Sequence, residues 1–432
     1  MAKHEMIDIN DFKIILNNIP NAKTTMVEAY ISSGYINENE SNEGISHLLE
    51  HVLIDSWDKC GKMGCTDYWK KRGVLTNAST GQTTVQYYIH GLEKDHLDMI
   101  DYITSITLKP KISKFLIKKE IKAVYNELLI HAAHPMMDLY HILNGMLFRL
   151  EGLQLQDDIK LQIKNLKSFN VENLNSWIKK FYGSGNIIFV ISGKFTKSRV
   201  ITLLKKNLTK VNPIKIIPKY TDIFKPGLYV QFLKNIKIDN TNMVLAFHSP
   251  IYQKDPEIFF IDFFKEFIGS GVTSFIMSEL REKKNLIYNV TVDNYTTPYG
   301  TYITIEVSSK NKNIEDVIFG IIKILKNLVR GKFSNEYLKY VKKSYMIEHH
   351  AQCKNNEYLN NFYGEQYINQ LYNPTEEIFI LEPEDVTKNI LDIEKLKFVL
   401  FLKKLIIFSN MKIAYQGKRE VKNLQSLVLK RI

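Results

Sequence analysis

The run Gly44-Ile45-Ser46-His47-Leu48-Leu49-Glu50-His51 constrains this chain more than any other stretch. His47 and His51 are four positions apart. On a helix, both imidazoles therefore leave one face, one turn above the other. That spacing lets two ring nitrogens meet one small cation at about 2 Å each. Glu50 stands beside them and is free to act as a base. The helix should start near Glu43 and run past Leu53. A site of this kind needs a third protein ligand and an open fourth position for water, so a second element must face this helix.

The order H-x-x-E-H is the inverse of the commoner H-E-x-x-H zinc-protease motif. Downstream, Ile117, Ile121, Val124 and Leu128 recur at helical spacing. Glu120 and Glu127 are seven apart on that helix and project from nearly the same face. With these residues the chain resembles the pitrilysin/insulinase-type zinc peptidases, and among them the half-size, two-domain class of mitochondrial processing peptidase beta-type subunits. In that family the third ligand is a glutamate about 76 residues after the second histidine, with a supporting glutamate seven residues before it. Glu127 lies 76 positions after His51, and Glu120 lies seven before Glu127. The resemblance thus implies one Zn²⁺ per chain held by His47, His51 and Glu127, Glu50 as the general base, and Glu120 orienting the ligands from behind.

Further patches carry the same resemblance. Gly34, Glu38 and Gly44 are similar to the family's approach to its zinc helix. Asn77-Ala78-Ser79-Thr80 resembles the edge strand that pairs with the substrate backbone, which implies a substrate-binding role for Asn77 and Ala78. The stretch Gly271 to Tyr288 resembles the second signature, which implies that Arg281 and Tyr288, seven apart, complete the site. Arg can hold a substrate carbonyl, and Tyr can donate to a developing oxyanion. The bland alternative pairs Arg281 with Glu279 or Glu282 and puts Tyr288 in a core. The family usually has Gly-Thr soon after the second histidine, where this chain has Asp55-Ser56-Trp57. The loop 57–69 is therefore its least transferable part.

Strand patterns at Phe12–Leu16, Thr25–Ile31, Val85–Ile89 and Asn186–Ser192 alternate with amphipathic helices over Leu92–Leu108, Ile112–Ile130, Pro135–Leu150 and Asn170–Tyr182. After a Pro-containing linker over 209–224 the same order returns, with a hairpin Ile287–Asn294 and Thr301–Ser308 and a last strand Met411–Tyr415. A repeat of about 215 residues predicts two copies of one unit. The expected fold is α+β, with two homologous domains at 1–212 and 213–432. Each has a mostly antiparallel sheet with helices packed on one face, and together they form half of a clamshell chamber. The second copy lacks the histidine motif, so one zinc site per chain is expected. The resemblance implies a peptide substrate and a homodimer, or a heterodimer with a related chain, in which the second signature works across the interface. The rival on the same fold is a non-catalytic peptide-binding or partner subunit.

Other features exclude other classes. The net charge is +12, but the lysines are scattered, and neither a basic stripe nor an aromatic platform offers a nucleic-acid surface. No apolar run reaches the roughly 18 residues of a spanning helix. The N-terminus shows no signal-peptide pattern. Three cysteines, Cys60, Cys65 and Cys353, argue against a disulfide scaffold and suit a cytoplasmic or other reducing compartment. Cys60 and Cys65 lack a second pair to make a metal site. His131 and His134 read as a solvated helix end rather than a second metal cluster, and His349-His350 as surface.

Overall fold

A computed structural model of the protein describes residues 4–209, 214, 222–269, 274–371 and 378–432. Most of the expected linker, the 212/213 boundary and residues 271–273 of the second signature lie outside the described residues. The chain forms two compact units. The first comprises Met1–Ala133, Glu151–Lys219 and Ala351–Glu382, and the second His134–Leu150, Tyr220–His350 and Pro383–Ile432.

The sheet of the first unit contains β1 (Glu5–Ile9), β2 (Phe12–Asn18), β3 (Thr24–Ile31), β4 (Leu75–Thr80), β5 (Val85–Leu92) and β6 (Ile187–Gly193), in the spatial order β1-β2-β6-β3-β5-β4. Only β2 and β6 run parallel. In the second unit β7 (Tyr229–Lys234), β8 (Asn240–Ser249), β9 (Ile287–Thr297), β10 (Gly300–Lys310) and β11 (Lys412–Gly417) lie in the order β7-β11-β8-β10-β9, with only β7 and β11 parallel. The path β2-β6-β3-β5-β4 is retraced strand for strand, so the two α+β units are copies of one topology. β1 was not expected. It is the outer arm of a tight hairpin whose turn residues, Asn10 and Asp11, take φ of 50° and 67°. Asn and Asp tolerate that left-handed region, and such turns match the twist of the strands they join.

Helices α1 (Ile45–Ile54), α2 (Cys65–Lys70), α3 (His96–Leu108), α4 (Lys114–Ala133) and α5 (Met137–Leu147) follow in the first half of the chain. Leu48, Leu49, Val52, Ile100, Ile103 and Val124 pack with Val27, Ala29, Tyr87 and Phe189 of the first sheet in one core. The expectation of helices on one face only is corrected here. Every residue of β6 is buried, so its outward-facing Ile188 and Val190 need cover as much as Ile187 and Phe189 do. The helix Asn356–Gln370 supplies it. Leu359, Tyr363, Tyr367 and Ile368 pack on Ile15, Tyr30, Ile188 and Val190. In the second unit α5 packs on β7, β8 and β11. Each sheet thus takes one helix from the opposite half of the sequence.

His349 departs from its surface reading. It is buried, its Nε2 lies 3.0 Å from the carbonyl oxygen of Pro383, and its ring stacks on Tyr345. The cysteines divide: Cys60 and Cys65 form a disulfide five residues apart in sequence, and Cys353 is buried and free.

Candidate metal centre

The site is built on α1. Its first residue follows Gly44, whose φ of 91° lies in the left-handed region that favours glycine. No side chain of the cap residue itself satisfies the first turn. Glu38 does so instead. Its Oε2 accepts the Gly44 N–H at 2.8 Å, and its Oε1 accepts the Ser46 N–H at 2.8 Å. A carboxylate at this end also suits the positive pole of the helix. Glu43 is fully buried beside it. Burial and the neighbouring Glu38 push the Glu43 carboxyl up to about 10, so it holds its proton at neutral pH. Gln162 Nε2 donates to Glu43 Oε1 at 3.3 Å. The sequence pointed to Glu38 only through the resemblance, and Glu43 not at all.

One turn further on lies the face that carries His47 and His51. Leu116, Ile117, Val124 and Leu128 bury one side of α4, and α4 packs beside α1. This brings Glu127 Oε1 to 3.6 Å from His47 Nε2 and Glu127 Oε2 to 3.2 Å from His51 Nε2. Among the described residues, His47, His51 and Glu127 form the one cluster of three or more His, Cys, Asp or Glu that could hold a metal ion, their ligand atoms all within 4.8 Å of one another. Two imidazoles and one carboxylate converging with room for a fourth ligand is a donor set that fits zinc. Behind His51, Glu120 Oε2 lies 3.7 Å from Nδ1. This leaves Nε2 as the nitrogen turned to Glu127. Burial works against a charged His51, but Glu120 and Glu127 outweigh it and hold the imidazole up at about 9. His47 and then His51 hold the Glu127 carboxyl far below the usual carboxylate range. His131 reaches Glu127 at 3.8 Å from an exposed position on the same helix. It stays outside the cluster.

Glu50 sits on the same helix but is turned toward the sheet. Burial raises its carboxyl above the ordinary value, while His47 and a hydrogen bond from Thr80 pull it back. Thr80 Oγ1 donates to Glu50 Oε2 at 2.6 Å. Thr80 ends β4, the edge of the first sheet. Along β4, Ala78 and Thr80 turn inward while Leu75, Asn77 and Ser79 are exposed. Glu50 is therefore tied to the edge strand. Period-2 alternation along Asn77-Ala78-Ser79-Thr80, counted against Glu50, could have picked Thr80 out.

Arg281 and Tyr288 belong to the second unit. The signature stretch forms a π-helical turn, Met277–Glu282, and the chain enters β9 at Ile287. Arg281 Nε lies 3.7 Å from Glu282, as the bland alternative expected, and Glu279 pairs with Lys283 instead. Tyr288, by contrast, is 52% exposed and not a core residue.

Comparison with known proteins gives a consistent answer. A family model described as Insulinase (Peptidase family M16) matches residues 13–151. A second, described as Peptidase M16 inactive domain, matches residues 168–345. An uncharacterized zinc protease of Rickettsia felis is 22% identical over 309 residues, spanning 71% of this chain and 73% of the relative. The mitochondrial-processing peptidase subunit beta of Saccharomyces cerevisiae is 22% identical over 347 residues, 76% and 73% of the two chains. The fold superposes with a TM-score of 0.83 on the crystal structure of a protease from Helicobacter pylori, 17% identical, covering 96% of this chain and 99% of that one. No described helix is long and apolar enough to cross a membrane. The chain belongs to the M16 insulinase family and is related to zinc proteases and to mitochondrial-processing peptidase beta subunits.

Proposed function

We propose that this protein is a zinc-dependent endopeptidase acting on peptides or short unfolded segments. The observation that carries the reading is a nearly buried Glu50, hydrogen-bonded to the edge strand, beside a convergent His47, His51 and Glu127 group. His47, His51 and Glu127 would hold the ion. Zinc at such a site polarises a carbonyl and acidifies water. Glu50 receives the proton of the attacking water and passes it to the leaving amine. Its raised proton affinity brings it nearer the pH at which it must do both. The substrate adds as a strand to β4 near Asn77 and Ala78, gaining main-chain hydrogen bonds that do not depend on its side chains. Glu120 keeps His51 in the tautomer that presents Nε2.

Arg281 and Tyr288 act in trans in this reading. A homodimer, or a pairing with a related chain, sets the second unit of one copy against the zinc site of the other. Half-exposed Arg281 and Tyr288 are available for that role.

The test is cleavage of a mixed quenched-peptide library by wild type, by Glu50→Gln and by chelator-treated protein. Activity lost in both controls supports the reading, and full activity in Glu50→Gln ends it. A folded, zinc-loaded wild type that binds peptides but cuts none would make this a peptide-binding subunit. For the dimer, inactive Glu50→Gln chains are mixed with inactive Arg281→Ala chains. Recovered activity supports completion in trans, and exchanged dimers that stay dead refute it.

A further inference from the structure

The loop after α1 is where this chain leaves its family's pattern, and it does not stand apart from the metal centre. Asp55 ends α1 as its C-cap. A carboxylate there faces the negative pole of the helix, an unfavourable place that calls for compensation. Three contacts provide it. Asp55 Oδ1 accepts the N–H groups of Cys65 at 2.7 Å and Thr66 at 3.2 Å, where α2 begins. Its Oδ2 pairs with Lys119 Nζ. Gly64, with φ of 83°, leaves the room: a β-carbon there would come within 3.1 Å of Asp55 Oδ2.

Lys119 does not stop at Asp55. Its ammonium also lies 3.0 Å from Glu120 Oε1, and the other oxygen of Glu120 faces His51 Nδ1. Both acidic partners are nearly buried, with side chains 7% and 9% exposed. Among the described residues Lys119 is the only cation within ion-pairing distance of Asp55. Surface ion pairs are usually weak. Lys119 is itself 53% exposed, but its ammonium bridges two nearly buried carboxylates, and Asp55 is held by two backbone amides. The Cys60–Cys65 disulfide closes the loop, and Trp57 stacks on Trp69 at 5.6 Å and 5°.

We infer that Asp55 and Lys119 are positioning residues for the metal centre: they form a relay from the disulfide-closed loop to Glu120 that fixes the ring of His51. This rests on His47, His51 and Glu127 binding zinc. Lys119 acts as a clamp that stops Glu120 rotating away from His51, and Asp55 anchors the clamp to a rigid loop. Partners of this kind around a metal-ligating histidine typically govern metal affinity by 10–100-fold.

The experiment measures zinc affinity of the full-length protein by chelator competition, and the visible absorption of its cobalt-substituted form. Lys119→Met and Asp55→Asn should each weaken zinc binding about 10–100-fold and alter the cobalt spectrum. Asn at 55 can still accept the Cys65 and Thr66 amides, so the loop keeps its shape while the anchor to Lys119 is lost. Lys119→Arg restores the clamp and should bind within about threefold of wild type. Thermal melting of the zinc-stripped variants shows whether they are folded. Folded Lys119→Met and Asp55→Asn proteins with wild-type affinity and spectrum would overturn the relay while leaving the peptidase reading intact. A wild type that binds no zinc would overturn both.

Discussion

Glu43→Gln tests the buried carboxyl pair beneath α1. Folded Glu43 is pushed up to about 10 from the ordinary 4.5 by burial first and by Glu38 second. Its folded-state affinity for a proton is therefore higher than its unfolded one. The stability this contributes is fully present below about pH 4.5 and is lost as pH rises toward 10. Between those limits each pH unit removes up to about 1.4 kcal/mol per proton. From pH 6 to pH 8 the ceiling is about 2.7 kcal/mol. Opening of the helix end around a charged Glu43 lowers this, so a loss of about 1–2.5 kcal/mol is expected. Glutamine keeps the shape of the side chain. Its amide oxygen can still accept from Gln162, but it has no proton to lose, so the variant should lack this slope. The assay is urea unfolding of zinc-stripped protein at pH 6, 7 and 8, followed by tryptophan fluorescence. The chain has three tryptophans, Trp57, Trp69 and Trp177, all in the first unit, so the signal reports on that unit alone. His51, held up at about 9, adds a slope of the same sign. That slope is common to both proteins and cancels in their difference. Parallel stability-versus-pH lines for wild type and Glu43→Gln would refute the argument.

Three further outcomes are expected. Glu50→Gln should lower kcat by at least about 10²-fold, the lower end for a general acid-base group, while zinc content measured by metal analysis stays at wild type. Thr80→Val removes the donor that favours ionised Glu50. The acid limb of the kcat/KM profile should then move to higher pH, and kcat/KM should fall about tenfold, as one charge-assisted hydrogen bond implies. In Gly364→Ala the new β-carbon would fall 2.2 Å from a ring carbon of buried Tyr30. That overpacking should cost about 1–3 kcal/mol, seen as an earlier urea midpoint in the tryptophan signal.

The grouping of His47, His51 and Glu127 was legible because its parts are periodic within single helices. His47 and His51 share a face by their four-residue spacing, and Glu120 and Glu127 by their seven. Pairing the two helices needed the family's spacing, since helical period alone does not say which faces meet. The hairpins of both sheets were legible from alternation and turn residues, except β1, whose five residues Glu5-Met6-Ile7-Asp8-Ile9 are too short and too mixed to stand out and whose turn is marked by Asn10-Asp11. What escaped depends on partners far along the chain. Asp55 and Lys119 are 64 residues apart. His349 is buried against Pro383, which follows it by 34. β6 read as a buried strand, but nothing local named the helix Asn356–Gln370 as the cover of its outward face.

That late cover bears on how the protein is made. Residues 1–219 include every strand of the first sheet, yet Ile15, Tyr30, Ile188 and Val190 keep an uncovered face until the helix ending at Gln370 has been synthesised. At 5–20 residues per second that is a delay of roughly 8–30 s. Each of the three aliphatic side chains forgoes roughly 1.5–3 kcal/mol of burial meanwhile. The nascent chain presents a sticky apolar strip for that interval, a natural target for a holding chaperone. A ribosome stalled between the two segments would display α1, with His47 and His51, on a half-clad sheet.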